Sequence, residues 1–176
     1  TPDFAHCAVL IDAVRAGKDA YVEKPLCARL EDAVAAYDVV KASRSIVQVG
    51  TQRRSSPRFQ AAARFVRSGA LGPVCKIETA WNRNVPSWRK PLDDCKAGDV
   101  DWEQYLMYQA PRPFEAVRLR SWHWFYENTT GLVGLLGSHM IDVGQWLMDD
   151  PYPTSAVALG GIYTWKDGRE ISDTAE

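Results

Sequence analysis

Residues 16–26 read AGKDAYVEKPL, and this stretch connects the end of a helix to a short strand. The apolar side chains of residues 4–14 recur at helical spacing, and Gly17 ends that pattern. Asp3 stands where a helix N-cap is expected. The centre of the stretch is rich in β-formers, and Pro25 stops the run because proline cannot continue a strand ladder. The pattern therefore predicts a helix followed by a strand.

The same order repeats in the residues that follow. Apolar side chains between Leu30 and Val40 lie on one helical stripe, and residues 46–49 form an apolar run that stops at Gly50. Alternating helices and strands predict a parallel sheet covered by helices. The first helix needs a strand before Thr1 to complete a βαβ unit, so we expect the chain to be a piece of a longer protein.

The pattern changes after residue 55. Ser56 and Pro57 are typical of a helix start, and residues 74–81 alternate with the period of two that predicts a half-solvated strand. An apolar stripe over residues 132–147 predicts another helix, and residues 156–176 predict a strand, a turn and the start of a partner strand. We therefore expect an α+β arrangement with an open, largely antiparallel and incomplete sheet.

Composition narrows the class of protein and of partner. The chain has 176 residues, 46% of them hydrophobic, and a net charge of -1, which is typical of an ordinary globular protein. Near-neutral charge argues against a nucleic-acid partner, and no apolar run approaches the roughly 20 residues of a membrane span. The four cysteines show neither a C-x-x-C pair nor metal-ligand spacing, so we expect free thiols and no metal site.

Two cationic side chains follow the predicted parallel strands. Lys24 comes after the first strand and Arg53 after the second, so both are expected at the same edge of the sheet. Ligands of open α/β sheets bind at the carboxyl ends of the strands. A lysine partly desolvated there can act as general base or proton donor to an alcohol, whereas the alternative is a solvated charge in a turn.

His139 is the second candidate for proton transfer. It shares a helical stripe with Leu135 and Val143, so it is either a core histidine or a catalyst. Gly134 in the preceding turn indicates a close approach of backbone or a helix that begins further on. Asp142 lies three residues later on the same face, where it can orient the imidazole or cap a polar cluster.

Aromatic residues are concentrated between residues 81 and 126, a stretch with little periodicity. The tryptophans are Trp81, Trp88, Trp102, Trp122 and Trp124, and the interleaved arginines are Arg83, Arg89, Arg118 and Arg120. Aromatic faces beside planar polar groups suit sugar rings, but tryptophan and arginine are equally enriched in subunit interfaces. Both interpretations stay open.

Four blocks of the sequence resemble segments of one enzyme family. They are TPDFAH (1–6), AGKDAYVEKPL (16–26), VGTQRR with SGALGPV (49–54 and 68–74), and GSHMID (137–142). In this order they resemble the family of glucose-fructose oxidoreductase, inositol dehydrogenase and MocA-like proteins, written Gfo/Idh/MocA. The blocks extend over nearly the whole chain, and the E-K-P and H-x-x-D elements are the specific ones.

The resemblance implies an NAD- or NADP-dependent oxidoreductase that removes hydride from a secondary hydroxyl of a sugar, inositol or related polyol. It implies that residues 1–55 are the C-terminal part of a Rossmann-type NAD(P)-binding domain, and that residues 56–176 form a truncated substrate-binding α/β domain. The implied catalytic residues are Lys24 and His139. The implied cofactor-binding residues are Thr1, Pro2, His6, Glu23, Lys24, Pro25, Gln52 and Arg53. The implied substrate-binding residues are Arg53, Trp122, Trp124 and Asp142.

Two departures from the family pattern keep alternatives open. Leu135 stands where the family often has an aspartate, four residues before the histidine. No G-x-G-x-x-G motif follows any strand, so we expect this polypeptide alone to bind NAD(P) poorly and to be inactive. The alternatives are NAD-assisted glycoside cleavage or elimination through a keto-sugar, and a non-catalytic carbohydrate-binding relative. We expect a homo-oligomer through the second-domain sheet; localisation stays open, with the cytoplasm as default and export to the periplasm as the alternative.

Overall fold

A computed structural model describes residues 1–82, 91–150 and 152–176. The helices are α1 (His6–Arg15), α2 (Leu30–Lys41), α3 (Pro57–Arg67), α4 (Trp102–Leu106), α5 (Ala116–Arg120) and α6 (Ser138–Met148). The strands are β1 (Ala20–Glu23), β2 (Val47–Gly50), β3 (Gly160–Gly161) and β4 (Thr174–Ala175). Short 3-10 turns include Asp3–Ala5, Gln52–Ser55 and Trp122–Trp124, and Val133–Gly137 is π-helical. Arg83, Trp88 and Arg89 of the aromatic stretch lie outside the described residues.

The first part of the chain is a parallel βαβ unit. Strand β1 pairs with β2 in parallel, in a register that runs from Ala20 opposite Val47 to Glu23 opposite Gly50. Helices α1 and α2 pack on one another and on this pair, around a core of Cys7, Leu10, Val14, Val22 and Ala36. The predicted alternation and parallel pairing are confirmed. Because the two strands end side by side, the residues after Glu23 and after Gly50 meet at one edge.

Helix α6 carries the histidine of the H-x-x-D block and packs against α3. Pro57 occupies the first turn of α3, as its fixed φ favours. Alanine and valine meet at this contact, where Ala63 and Val143 are buried. The π-helical segment leads directly into α6, so the predicted helix over residues 132–147 is confirmed with a change of pitch before Ser138. Short π-helical segments within α-helices are frequent at functional sites.

The strand predicted over residues 74–81 is wrong. Residues 74–82 run without regular structure, and Ile77 and Trp81 are exposed. The alternation of side chains there suits a half-solvated strand, but a strand needs a neighbour to accept its backbone hydrogen bonds. Within the described part of the chain no strand pairs with this segment. The antiparallel pairing is confirmed only between β3 and β4, where Gly160 opposes Ala175 and Gly161 opposes Thr174.

The capping role predicted for Asp3 is also wrong. A 3-10 turn over Asp3–Ala5 precedes α1, and no side chain caps it. The Asp3 carboxylate instead accepts a hydrogen bond of 2.7 Å from the Thr129 hydroxyl. Asp3 is only 2% exposed. Asp3 is buried against residues far along the chain. Its carboxylate therefore binds Thr129 and does not cap α1.

Gly134 in the π-helical segment provides a test of this packing. A Cβ added there would overlap the Thr130 hydroxyl and lie 2.5 Å from Thr130 Cβ, whereas a Cβ on Gly144 in α6 meets nothing within 4 Å. We expect Gly134→Ala to lower the free energy of unfolding by about 1–3 kcal/mol through overpacking. Gly144→Ala should raise it by up to about 1 kcal/mol through helix propensity. Urea unfolding followed by circular dichroism measures both, and equal midpoints for the two variants would contradict the packing described here.

Candidate active site

A cavity of about 450 Å³ lies beside β1 and reaches the carboxyl end of that strand. One side of its wall is apolar, with Val9, Leu10 and Val22 from α1 and β1. The polar side of the wall consists of Thr1, Asp3, His6, Glu23 and Lys24, and Trp122 and Leu135 close it from the second half of the chain. The cavity thus combines apolar walls with a few convergent polar groups, which is typical of small-molecule sites.

Lys24 follows β1 immediately and reaches across to the π-helical segment. Its ammonium group donates a hydrogen bond to the Leu135 carbonyl oxygen. Burial lowers the pKa of Lys24, while the carboxylates of Asp3 and Glu23 oppose that shift. A lowered pKa makes the neutral amine more accessible than it is in a surface lysine. The peptide bond between Lys24 and Pro25 is cis.

His6 joins the first residues of the chain to the turn after β1. Its Nδ1 lies 2.8 Å from the Pro25 carbonyl oxygen, and its Nε2 lies 3.1 Å from the Thr1 carbonyl oxygen. Both partners are acceptors, so a neutral imidazole donates to one of them according to its tautomer. His6 is buried, and its contacts hold Thr1 and Pro25 at the rim of the cavity. Pro2, also buried, accepts the Ala5 backbone N–H through its carbonyl.

His139 lies one helical turn after Leu135, the residue whose carbonyl binds Lys24. Burial lowers the pKa of His139, and the positive charges of Lys24 and Arg53 lower it further. Asp142 and Glu23 oppose the shift. The imidazole stacks on the Trp81 indole with ring centroids 6.0 Å apart and an interplanar angle of 28°. The neutral imidazole, which can accept a proton, is therefore the favoured form near neutral pH.

Arg54 and Asp142 form an ion pair that ties the turn after β2 to α6. An Arg54 Nη2 lies 2.8 Å from Asp142 Oδ1, and Arg54 Nε donates to both carboxylate oxygens. The sequence predicts Asp142 as a substrate-binding residue or as the partner that orients His139. In the structure Arg54 occupies its carboxylate, so Asp142 acts on His139 only through its charge.

The remaining predicted site residues occupy different surroundings. Arg53 is half-buried against aromatic rings, whereas Gln52 and Glu23 are exposed at the edge where β1 and β2 end. Trp122 lines the cavity. Trp124 is 3% exposed, and its ring packs under the Arg169 guanidinium at 5.2 Å. The structure therefore places Trp124 in the core and away from the cavity wall, and its predicted contact with substrate finds no support in this position.

Sequence reasoning missed the part that Asp3 plays. Its carboxylate lies in the cavity wall beside Lys24, accepts the Thr129 hydroxyl, and has a pKa raised by burial. No local signal marks this residue, because its partner lies 126 positions away. The contact of Lys24 with Leu135 was equally hidden, since a main-chain carbonyl has no signature in a sequence.

Among the described residues, no group of three or more His, Cys, Asp and Glu side chains is arranged to hold a metal ion. Within the same ranges, no helix is long and apolar enough to cross a membrane.

Comparison with known proteins agrees with this geometry. The family model GFO_IDH_MocA, described as an oxidoreductase family with an NAD-binding Rossmann fold, matches residues 1–51. The scyllo-inositol 2-dehydrogenase (NAD(+)) of Bacillus subtilis is 40% identical over 118 residues, which are 61% of this chain and 33% of that protein. Residues 1–51 of this chain are similar to the Gfo/Idh/MocA oxidoreductase family. The resemblance found in the motif blocks is confirmed.

A second curated protein is similar over a comparable stretch. Levoglucosan dehydrogenase of Pseudarthrobacter phenanthrenivorans is 34% identical over 122 residues, 61% of this chain and 31% of that protein. The solved apo structure of a levoglucosan dehydrogenase superposes with a TM-score of 0.61 at 21% identity, covering 93% of this chain and 35% of the other. That likeness shows the shared fold. The chain spans about a third of the length of the curated relatives it matches.

The charges around His139 lead to a measurable prediction. Removing a positive neighbour should raise the pKa of its imidazole, so Arg53→Gln and Lys24→Met are expected to shift the titration upward. Asp142→Asn should shift it downward, because the carboxylate stabilises the charged form. Histidine proton NMR measures this directly, since the chain has 3 histidines and His139→Asn assigns the signal. Arg58→Gln, on the first turn of α3, is the control; identical titrations in all variants would show that these charges do not reach His139.

Proposed function

We propose that the protein oxidises a secondary hydroxyl of a sugar, inositol or related polyol by hydride transfer to NAD or NADP. The observation that carries the proposal is the convergence of Lys24 and His139 from opposite halves of the chain. Lys24 binds the carbonyl of Leu135, one turn before His139 on the same helical segment. Two proton-transfer groups thus stand at the carboxyl end of β1, where ligands of open α/β sheets bind.

Both groups have the electrostatic character that the reaction needs. Oxidation of an alcohol requires a base to take the hydroxyl proton while hydride leaves the carbon. Burial lowers the pKa of Lys24 and of His139, and their mutual repulsion as cations favours a state with one of them neutral. The neutral partner accepts the proton, and the charged partner stabilises the developing alkoxide. We assign these roles to the pair because the charge of Lys24 lowers the pKa of His139.

The residues around the cavity fit the nicotinamide end of the cofactor. The cavity volume of about 450 Å³ lies in the range of small-molecule sites, roughly 300–1,000 Å³. Its wall offers an apolar surface for a planar ring and the polar side chain of Thr1 for an amide. When bound, NAD or NADP supplies the hydride acceptor. We propose that the cofactor-binding residues are Thr1, Pro2, His6, Glu23, Lys24, Pro25, Gln52 and Arg53.

We propose that the substrate binds next to the imidazole of His139. Trp122 supplies a face of the cavity wall, and Arg53 and Trp81 lie beside the imidazole. The names of the relatives, scyllo-inositol 2-dehydrogenase and levoglucosan dehydrogenase, support a cyclic polyol or anhydrosugar as the substrate class.

We also propose residues 1–55 as the cofactor-binding part and residues 56–176 as the substrate-binding part. Assembly through the second part remains a prediction.

Replacement of the two proton-transfer groups tests the function. We expect Lys24→Ala and His139→Asn, each introduced into the complete protein that includes the first half of the nucleotide-binding domain, to lower kcat/KM for the oxidised polyol by roughly 10²- to 10⁴-fold, the usual contribution of general acid–base catalysis. Absorbance at the NADH band follows the reaction over a panel of inositols, aldoses and anhydrosugars. Lys18→Ala is the matched control, because Lys18 is an exposed lysine in the turn before β1. It should retain full activity.

The same assay separates the alternatives. Net oxidation accumulates one NADH for each substrate molecule consumed. Cleavage or elimination through a keto-sugar consumes substrate without accumulating NADH, and a binding protein consumes neither. Full activity of Lys24→Ala with bound cofactor would contradict the catalytic role of Lys24.

A further inference from the structure

Arg53 has surroundings that set it apart from the other arginines near the cavity. Its guanidinium carbon lies 5.3 Å from the centre of the Trp81 ring and 5.4 Å from that of Phe59. The side chain is half-buried. Over residues 1–82, 91–150 and 152–176, no carboxylate lies within ion-pair distance of it and no protein acceptor takes its N–H groups. Two aromatic rings therefore hold a desolvated cation whose hydrogen-bond donors are unused.

Within the described ranges, the adjacent Arg54, unlike Arg53, is bound by a carboxylate. Its guanidinium makes hydrogen bonds to both oxygens of Asp142, with the shortest distance at 2.8 Å. Both carboxylate oxygens of Asp142, the aspartate of the H-x-x-D block, are bound by Arg54. Arg54 thus anchors the turn to α6, while Arg53 keeps its planar fork of donors available. Such a fork matches the two oxygens of a carboxylate or a phosphate.

The Trp81 ring places Arg53 next to the proton-transfer groups. The same indole that contacts Arg53 stacks on His139, and the positive charge of Arg53 reaches that imidazole. The acidic groups nearby do not neutralise Arg53. Asp3 is buried and accepts the Thr129 hydroxyl, and Glu23 is exposed at the end of β1 and forms no ion pair with Arg53 among the described residues. A ligand that reaches His139 with its hydroxyl group therefore passes beside a cation without a counter-ion.

We propose that the substrate of this protein carries an anionic oxygen group, a carboxylate or a phosphate, and that Arg53 binds it. The substrate class narrows to a sugar acid or a phosphorylated polyol, whose anionic group lies within a few ångströms of the oxidised hydroxyl. Arg53 is then a specificity-determining residue, and Trp81 is the surface on which its guanidinium rests. The inference rests on the proposed function, because it names the substrate of the same site.

Matched pairs of substrates test the charge directly. Initial rates are compared for D-glucuronate, D-glucose 6-phosphate and D-glucose, and for myo-inositol and its monophosphate. We expect higher rates on the anionic member of a pair than on the neutral member. A preference for the uronate would show that Arg53 binds a carboxylate, and a preference for the phosphates would show that it binds a phosphate. Arg53→Gln should reduce that preference by roughly 10- to 100-fold, as expected for loss of charge-assisted hydrogen bonds. The rate on the neutral member should fall by a smaller factor than the rate on the anionic member.

Control variants separate binding of the anion from folding and from cofactor effects. Arg53→Lys should keep part of the preference, because it retains the charge without the fork. Arg58→Gln, an exposed arginine in the first turn of α3, should leave the preference unchanged. Equal rates on neutral and anionic members, or equal losses on both with a raised KM for NAD, would overturn the proposal. The proposed function would stand in either case.

A binding measurement keeps the test independent of turnover. Saturation-transfer NMR with D-glucuronate and D-glucose is carried out on the protein and on Arg53→Gln. A signal from the uronate alone that disappears in Arg53→Gln would support the inference. If the protein also oxidises none of the sugars, that result counts against the proposed function and leaves the inference in place. Equal signals from both sugars in both proteins would overturn the inference.

Discussion

The parallel pairing of β1 with β2 is the constraint on which the site depends. Its register brings Glu23 opposite Gly50, so both strands end at the same level. Two short connections leave this edge, one beginning with Lys24 and the other with Thr51. A shift by one residue would turn the side chains of a strand to the opposite face. The position of Lys24 relative to Arg53 is therefore a consequence of backbone hydrogen bonds.

Three long-range contacts then bring the second half of the chain to this edge. Lys24 binds the Leu135 carbonyl, Arg54 pairs with Asp142, and Asp3 accepts the hydroxyl of Thr129. Each contact joins a residue at or near the start of a connection to the segment between residues 129 and 142. Together they bring the helical segment that carries His139 to the edge where β1 and β2 end. Loss of any one removes a partner from a buried or half-buried polar group, which costs more than an exposed contact.

The electrostatics of the site follow from this arrangement. Burial disfavours the charged forms of Lys24 and His139, and their proximity adds repulsion when both are protonated. Arg53 adds a third cation, while Arg54 takes up the carboxylate of Asp142. The substitution of Leu135 for the aspartate often found in the family removes a carboxyl group beside the histidine. In this chain the main-chain oxygen of the same residue contacts Lys24, so the position still takes part in the site.

Local patterns in the sequence were sufficient for α1, α2, α3 and α6, for the parallel pair and for the edge at which Lys24 and Arg53 stand, but not for α5. These features depend on periodicity, on glycine and proline at element ends, and on the short range of strand pairing in a βαβ unit. The motif blocks were sufficient to recognise the family. The sequence could not show the missing partner of residues 74–81, the burial of Asp3 and Trp124, or the pairing of Asp142 with Arg54. The burial of Asp3 and the pairing of Asp142 with Arg54 depend on contacts between residues 126 and 88 positions apart, whose free energy is decided only when the two halves of the chain pack together.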